Sequence, residues 1–345
     1  MKYMPIDQVV QGEYLAKPIF ASDGRALLEE NVLLTFGLLS RLRQMGITAL
    51  YIKDSSNPEI IIDEEDVIGQ ETKREAASLL STLYQYVQTG EKDFKLKAVS
   101  KVASSIIDEI TIRKEVLAHL NDIRTNDNAL FLHSFNVCVL SVLVGLKMGL
   151  DRSKLRDLSV GALLHDIGKI TPDQPESNSK ENDHTWKGFN LLRKNPEVSR
   201  LSAVVALQHH EHLDGSGDPR SLTEGDIHLF SKIVAVTNDY DNMIYGVTAE
   251  KPLYPYEACE KIMALTNLHY DHETVWNFLR SVAFYPNGSH VKLTTGETGV
   301  VVSQNRGLPQ RPIVKVFKSS FHIDDSEVKE IDLAKETTIF IDKMI

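Results

Sequence analysis

The chain has 345 residues, of which 42% are hydrophobic and 25% charged, as in an ordinary soluble protein of two or three domains. Its 38 basic and 48 acidic residues give a net charge of −10, which argues against binding to DNA or RNA duplexes, because such proteins need a basic surface. The two cysteines, Cys138 and Cys259, lie in apolar contexts and predict reduced core thiols.

The N-terminal sequence contains no apolar leader after Met1. The most hydrophobic run, residues 137–150, is shorter than the ~18–20 residues that span a bilayer, so it predicts a buried core helix. We therefore expect a cytoplasmic protein without membrane insertion.

Residues 1–65 predict a small α+β accessory module. Short strand patterns at 15–20, 26–28 and 49–52 surround a helical pattern that stops at Gly46. Residues 70–127 then show long helical patterns with dense mixed charge. Such a segment can cover the next domain, pass a signal to it or pair with a second chain, so it leaves a homodimer open.

Residues 128–285 predict an all-α core. Asp151 is a candidate N-cap for a helix that ends near His165 and Asp166. From 286 to 345, β-branched runs separated by glycine and proline predict a small barrel-like β module. The predicted fold is thus multidomain and mainly α, with an all-α core between an α+β module and a β module.

The core carries a histidine-rich pattern. The motif His-Asp-Ile-Gly-Lys ends at Lys169, and a later His-His-Glu leads into Asp-Gly-Ser-Gly-Asp-Pro. Because a carboxylate has two oxygens, Asp166 could bridge two ions, and imidazoles suit iron, manganese, zinc, nickel or copper. The pattern predicts a hydrolase with two metal ions. The candidate ligands in chain order are His133, His165, Asp166, His184, His209 and His210.

This pattern closely resembles an HD-GYP domain, the branch of the HD phosphohydrolases that hydrolyses cyclic di-GMP, over roughly residues 125–285. The resemblance implies an HD-type helical fold and two divalent ions, most readily iron or manganese. It assigns Asp166 to a bridging catalytic role and places Lys169 beside the scissile phosphate, where an ammonium stabilises developing negative charge. It further implies substrate contacts from four residues: Lys251, Tyr254, Asp214 and Gly215.

The chain departs from the HD-GYP pattern at several positions. Asp218 replaces the tyrosine of Gly-Tyr-Pro, and Ala129 stands where members with a third metal have glutamate. Asn238 occupies the position of a late aspartate ligand and is assigned to the first ion, although a helical shift could give that role to Asp239 or Asp241. Two arginines common in the family are replaced at Lys251 and Tyr254, which weakens guanine recognition.

The resemblance implies a cyclic di-GMP phosphodiesterase that yields the linear dinucleotide pGpG. Two alternatives stay open at this stage. The domain could be a catalytically weak receptor that binds metal and cyclic dinucleotide, as the Asn238 and Asp218 departures suggest. It could also hydrolyse another phosphorylated nucleotide, as HD enzymes outside the branch do.

Overall fold

The computed structural model describes residues 2–21, 25–47, 49–53, 67–90, 97–113, 117–118, 124–125, 128–172, 183–245, 252–305, 307–317 and 328–345. Lys251, one of the predicted substrate contacts, lies outside these residues.

The N-terminal residues form two short two-stranded sheets and one helix. Strand β1 pairs antiparallel with β4, and β2 pairs antiparallel with β3. Thr35 caps the helix α1 by accepting a hydrogen bond from the Leu38 amide at 3.3 Å. The elements are β1 (Lys2–Pro5), β2 (Ile19–Phe20), β3 (Ala26–Leu28), α1 (Phe36–Gln44) and β4 (Ala49–Ile52).

Nine α-helices form the central part of the described chain. They are α2 (Gln70–Thr89), α3 (Lys97–Ile112), α4 (Ala129–Lys147), α5 (Arg152–Leu164), α6 (His184–Leu192), α7 (Arg200–Gln208), α8 (Leu229–Tyr245), α9 (Pro255–Ala264) and α10 (His272–Leu279). Two short 3₁₀ helices add Ile167–Ile170 and Glu224–Asp226. One hydrophobic core runs from Val67 to Phe284, so the buried faces of α2 and α3 belong to the same core as the later helices.

The centre of this core is α4. Its residues from Phe131 to Gly145 are all buried, and a helix that is apolar on every side is buried in a large core or in a membrane. By length and mean hydropathy (2.1) α4 could cross a membrane, but 83% of its most apolar window is buried inside the protein, as in the core helix of a soluble protein. Helices α5 and α8 pack on α4, and α7 packs on α5.

The helix ends of this core are well defined. The Asp151 carboxylate caps α5 by accepting from the Lys154 amide at 3.0 Å, as predicted. Asp183 and Ser199 cap α6 and α7 in the same way. Because α5, α6 and α7 begin or end beside one another, their termini can bring polar side chains together inside an otherwise apolar bundle.

The C-terminal residues form a five-stranded antiparallel sheet with the strand order β8-β7-β6-β5-β9. Its strands are β5 (His290–Leu293), β6 (Thr298–Ser303), β7 (Ile313–Phe317), β8 (Val328–Asp332) and β9 (Ile341–Met344). Alternate apolar side chains such as Val291, Val301 and Val314 form its own small core. The structure thus has the predicted helical core and a C-terminal sheet, while closure of that sheet into a barrel stays a prediction.

Candidate metal centre

Four helices bring the predicted ligands together. His133 lies in the second turn of α4, and His165 and Asp166 follow the end of α5. His184 is the first residue of α6, and His209 and His210 follow the end of α7. The six side chains therefore converge from four separate helices on one place in the core.

Asp166 is at the centre of the cluster, and its two carboxylate oxygens face different histidines. Oδ2 lies 3.4 Å from His133 Nε2 and 3.5 Å from His165 Nε2. Oδ1 lies 3.5 Å from His184 Nε2 and 3.6 Å from His209 Nε2. We call the first group site A. The second group, which His210 completes, is site B.

These separations suit ligands that share an ion. Two donor atoms each about 2.1 Å from one ion, at angles between 90° and 110°, lie about 3.0–3.4 Å apart. The Nε2 atoms of His133 and His165 are 3.1 Å apart, and the contacts to Asp166 lie between 3.4 and 3.6 Å. The donor atoms are thus gathered at close to coordination spacing.

Three buried polar atoms in the cluster also lack a hydrogen-bond partner: Asp166 Oδ1, His184 Nε2 and His209 Nε2. An unpartnered buried polar atom costs about 1–3 kcal/mol, so native proteins rarely leave several in one place. All three point into site B. A divalent cation bound there would satisfy them together, so the residues fit a metal centre.

The opposite ring nitrogens are held by the protein. His165 Nδ1 donates to the Ala162 carbonyl at 2.7 Å, and His209 Nδ1 donates to the Ala206 carbonyl at 3.1 Å. His133 Nδ1 donates to Asp241 Oδ2 at 2.6 Å. When the ring is neutral, each bond keeps its proton on Nδ1 and leaves Nε2 free to bind an ion.

Burial sets most of the protonation states. It lowers the pKa of His165 and of His209 to about 4, while the charge of His209, together with burial, lowers the pKa of His210 to about 2. Burial would raise the pKa of Asp166, but the neighbouring rings of His165, His133 and His209, together with Lys169, hold that pKa well below its usual range. Neutral imidazoles around an ionised carboxylate are what metal coordination requires.

His133 behaves differently. Burial would lower its pKa, but its bonds to Asp166 and Asp241 raise the pKa to about 9. Binding of an ion at Nε2 would therefore release a proton from this ring.

Lys169 lies at the border between the cluster and solvent. Its Nζ is 2.5 Å from Asp166 Oδ2, and its side chain is 43% exposed.

The preceding Gly168 is required by close packing. A Cβ at this position would overlap the His184 carbonyl and lie 2.7 Å from the Gly188 amide nitrogen. The glycine lets the segment that carries Asp166 approach the start of α6, where His184 begins.

The His-His-Glu motif and the following turn support site B. The buried Glu211 carboxylate accepts hydrogen bonds from the Arg220 and Leu222 amides, both at 2.8 Å. The Asp218 amide donates to the His210 carbonyl at 3.0 Å, so the loop folds back onto a predicted ligand. Asp218 thus has a structural role in this chain through its backbone.

The predicted substrate contacts are more exposed. Asp214 Oδ1 accepts from the Ser216 amide at 2.9 Å, and Gly215 takes the left-handed conformation with φ of 80°. Tyr254 is the N-cap of α9, and its ring stacks on Tyr256. Their contact with a substrate stays a prediction.

A third group of potential ligands is formed by His212, Asp214 and His269. The two imidazole rings are stacked, with centroids 3.8 Å apart and an interplanar angle of 7°. An ion must lie in the plane of each ring that binds it, so stacked rings cannot share one without rotating. The rings of sites A and B are tilted by 44° to 81°, so their lone pairs can converge.

Asn238 is buried on α8, one turn before Asp241. Its amide nitrogen donates to Asp239 Oδ1 at 3.0 Å, and its oxygen accepts from Asn242 at 3.2 Å. Asp239 also accepts from the Tyr270 hydroxyl at 2.6 Å. The role of Asn238 as a ligand of site A stays a prediction.

Sequence reasoning missed the support for His133. Asp241 binds the ring nitrogen that faces away from Asp166, so it orients the ring from behind. Arg124 pairs with the Asp241 carboxylate and lies over the Tyr245 ring at 3.5 Å. The sequence indicated Asp241 only as an alternative metal ligand, not as a residue that orients His133. Nothing in the sequence around Arg124 indicates its partner 117 residues away.

Two segments of the chain match known domain families. Residues 106–274 match the HD domain family, and residues 290–345 match a KOW domain associated with the HD domain. A cyclic di-GMP phosphodiesterase of Pseudomonas aeruginosa is 33% identical over 273 residues, covering 73% of this chain and 64% of that protein. A cyclic di-GMP phosphodiesterase of Thermotoga maritima is 35% identical over 177 residues, covering 48% of each.

The matched region thus spans about half to two thirds of these relatives. Among solved structures, an HDG"Y"P protein from Bdellovibrio bacteriovorus has a TM-score of 0.47 at 16% identity, covering 80% of this chain and 97% of that one.

Proposed function

We propose that this chain, whose residues 106–274 match the HD domain family, is a metal-dependent phosphodiesterase that hydrolyses cyclic di-GMP to linear pGpG in the cytoplasm. One observation carries the proposal. Asp166 directs one oxygen at each of two histidine groups, and donor atoms in both groups lie close to coordination spacing. The relatives named above, both cyclic di-GMP phosphodiesterases, support the choice of substrate.

His133, His165 and Asp166 would hold one ion, with Asn238 as a further ligand, and Asp166, His184, His209 and His210 would hold the other. Two divalent ions bound there, iron or manganese as the family resemblance implies, would activate water and neutralise charge on the phosphate.

The protein's own groups set the geometry of the reaction. The buried Asp166 stays ionised, and the Nδ1 bonds of His133, His165 and His209 fix the ring planes. Lys169 lies next to Asp166 and reaches solvent, so its ammonium can contact a phosphate that enters from that side. There it would stabilise the charge that develops as the 3′ oxygen leaves.

The test is turnover of cyclic di-GMP by the full chain, purified without oxygen and supplied with Fe²⁺ or Mn²⁺. We expect the linear dinucleotide to accumulate in a chromatographic time course, because Ala129 offers no ligand for a third ion that would hold the product for a second cleavage. Asp166→Ala should abolish both metal binding and turnover. His272→Ala, which removes an exposed histidine at the start of α10, is the matched control and should retain both.

A second candidate, a receptor that binds cyclic di-GMP without efficient turnover, is favoured by Asn238. Its neutral amide already bonds Asp239 and Asn242, so it is a weaker metal ligand than a carboxylate. Binding of cyclic di-GMP by the metal-loaded chain with no linear product, under conditions where both ions are present, would select this function over the enzyme.

A further inference from the structure

The N-terminal module contacts the helices that carry site A at the end of strand β2. The Phe20 carbonyl accepts a hydrogen bond from Asn128 Nδ2 at 2.8 Å. The Phe20 ring lies 5.9 Å from the Arg74 guanidinium of α2. Asn128 is the N-cap of α4, five residues before His133. The module therefore touches the start of the helix that supplies a ligand.

The Asn128 side chain is used in an unusual way for an N-cap. Asparagine at this position commonly accepts a hydrogen bond from its own helix, but here the side chain makes no such bond. Its oxygen accepts from the Thr125 amide at 2.7 Å, and the Thr125 hydroxyl accepts from the Asn128 amide at 3.2 Å. Both residues are at most 2% exposed. A buried network whose members are all paired holds a single geometry.

The residue before Thr125 continues the network to the ligand. Arg124 pairs with the Asp241 carboxylate, which in turn accepts the Nδ1 proton of His133. Asn136 donates to the other Asp241 oxygen at 3.2 Å. A series of hydrogen bonds, joined by the peptide bond between Arg124 and Thr125, thus runs from the Phe20 carbonyl through Asn128 to Asp241 and His133.

We propose that Asn128 is a positioning residue that couples the N-terminal module to site A. By holding Thr125 and the Phe20 carbonyl together, it fixes Arg124 against Asp241 and so sets the His133 ring for metal binding. Site B has no member in this series among the described residues, so the coupling acts on one of the two ions. The inference rests on the proposed metal centre and does not depend on which nucleotide is hydrolysed.

Asn128→Asp is the variant that isolates the link to the module. Aspartate keeps an oxygen for the Thr125 amide but replaces the donor to Phe20 by a second oxygen, which faces the carbonyl and repels it. Asn277→Asp is the matched control, because Asn277 also donates through Nδ2 to a backbone carbonyl, that of Glu273 at 2.9 Å, on a helix that carries no ligand. The change in composition and charge is identical in the two variants.

Each substitution is placed in full-length protein that retains one site. In the His184→Ala background Mn²⁺ binding reports site A, and in the His133→Ala background it reports site B. Metal-free protein is titrated with Mn²⁺ alone, without nucleotide. We expect Asn128→Asp to weaken Mn²⁺ binding about 10-fold or more at site A, in line with the effect of residues that orient ligands, and to leave site B unchanged. Asn277→Asp should change neither.

Equal Mn²⁺ affinity of Asn128→Asp and its parent at site A would overturn the proposal, and so would an equal loss at both sites. If Asn128→Asp does not fold, Arg124→Gln decides, since it removes the charge opposite Asp241 without touching the module. Unchanged site A binding in Arg124→Gln would refute the series of contacts. Absence of cyclic di-GMP turnover would count against the proposed enzyme but would leave this inference intact, because the readout is metal binding.

Discussion

Gly168→Ala tests how closely site B depends on backbone packing. A Cβ at this position would lie 2.7 Å from the Gly188 amide nitrogen and would overlap the His184 carbonyl. Ordinary contact begins near 3.4 Å, so clearing the Gly188 nitrogen alone requires the 3₁₀ segment and α6 to separate by about 0.7 Å, and clearing the closer His184 carbonyl requires more. The distance from Asp166 Oδ1 to His184 Nε2 is 3.5 Å and would grow to more than about 4.2 Å.

Two ligands each about 2.1 Å from an ion can be no more than about 4.2 Å apart, and then only on opposite sides of it. His184 and Asp166 would therefore no longer share an ion in site B. We expect bound metal to fall from two ions to one per chain. The overpacking should lower the free energy of unfolding by about 1–3 kcal/mol.

The assay is elemental analysis of the metal-loaded protein together with thermal unfolding of the metal-free protein. Gly225→Ala is the control, because a Cβ there meets nothing within 4 Å. Full retention of both ions in Gly168→Ala, at the stability of the Gly225→Ala protein, would refute the reasoning.

Three further predictions concern the charges around the cluster. Lys169→Ala should keep both ions and lose about 100-fold or more in kcat, as expected for a group that stabilises developing charge; loss of metal by elemental analysis would contradict this role. Asp241→Asn should weaken metal binding at site A about 10–100-fold in a Mn²⁺ titration, because His133 loses the carboxylate behind its ring; unchanged affinity would remove Asp241 from the site. Thermal unfolding of the metal-free protein should show greatest stability near pH 6.5. Because the pKa values of His165 and His209 are lowered to about 4 in the folded protein, the free energy of unfolding decreases as pH falls below 6.5. Because the pKa of His133 is raised to about 9, the free energy of unfolding decreases as pH rises from 6.5 toward 9. A continuous rise in stability from pH 6 to pH 9 would be incompatible with the charged state of His133.

The ligand cluster could be predicted from the sequence because the types of its residues and their order along the chain identify them as metal ligands. The His-Asp-Ile-Gly-Lys segment and the later His-His-Glu carried the HD-domain resemblance, which the family match confirms. All six predicted histidine and aspartate ligands lie together in the structure. The sequence also placed His165 and Asp166 near the end of a helix capped by Asp151, which is where the structure has them.

The residues behind the ligands could not be predicted in this way. Arg124 and Asp241 are 117 positions apart, and only folding places the guanidinium against the carboxylate. The same holds for the pKa of His133, which depends on two carboxylates from different parts of the chain.

The structure also explains a departure that sequence reasoning treated as a loss. Asn238 donates to the buried Asp239, and burial raises the pKa of that carboxyl. An aspartate at 238 would therefore place a second carboxylate against it, so Asn238→Asp need not strengthen metal binding as its charge alone suggests.

The shared core of α2, α3 and the later helices has a practical consequence for preparing the protein. The segment that matches the HD domain begins at residue 106, inside α3, and ends at 274, inside α10. A recombinant fragment cut at those limits would lose Leu80 and Val102, which are at most 1% exposed, and Phe278, which is fully buried. Their apolar neighbours would then face solvent, which favours aggregation. Soluble expression of the helical core alone should therefore require a fragment from before Val67 to beyond Phe284, so the segment that matches the HD domain is smaller than the unit that folds.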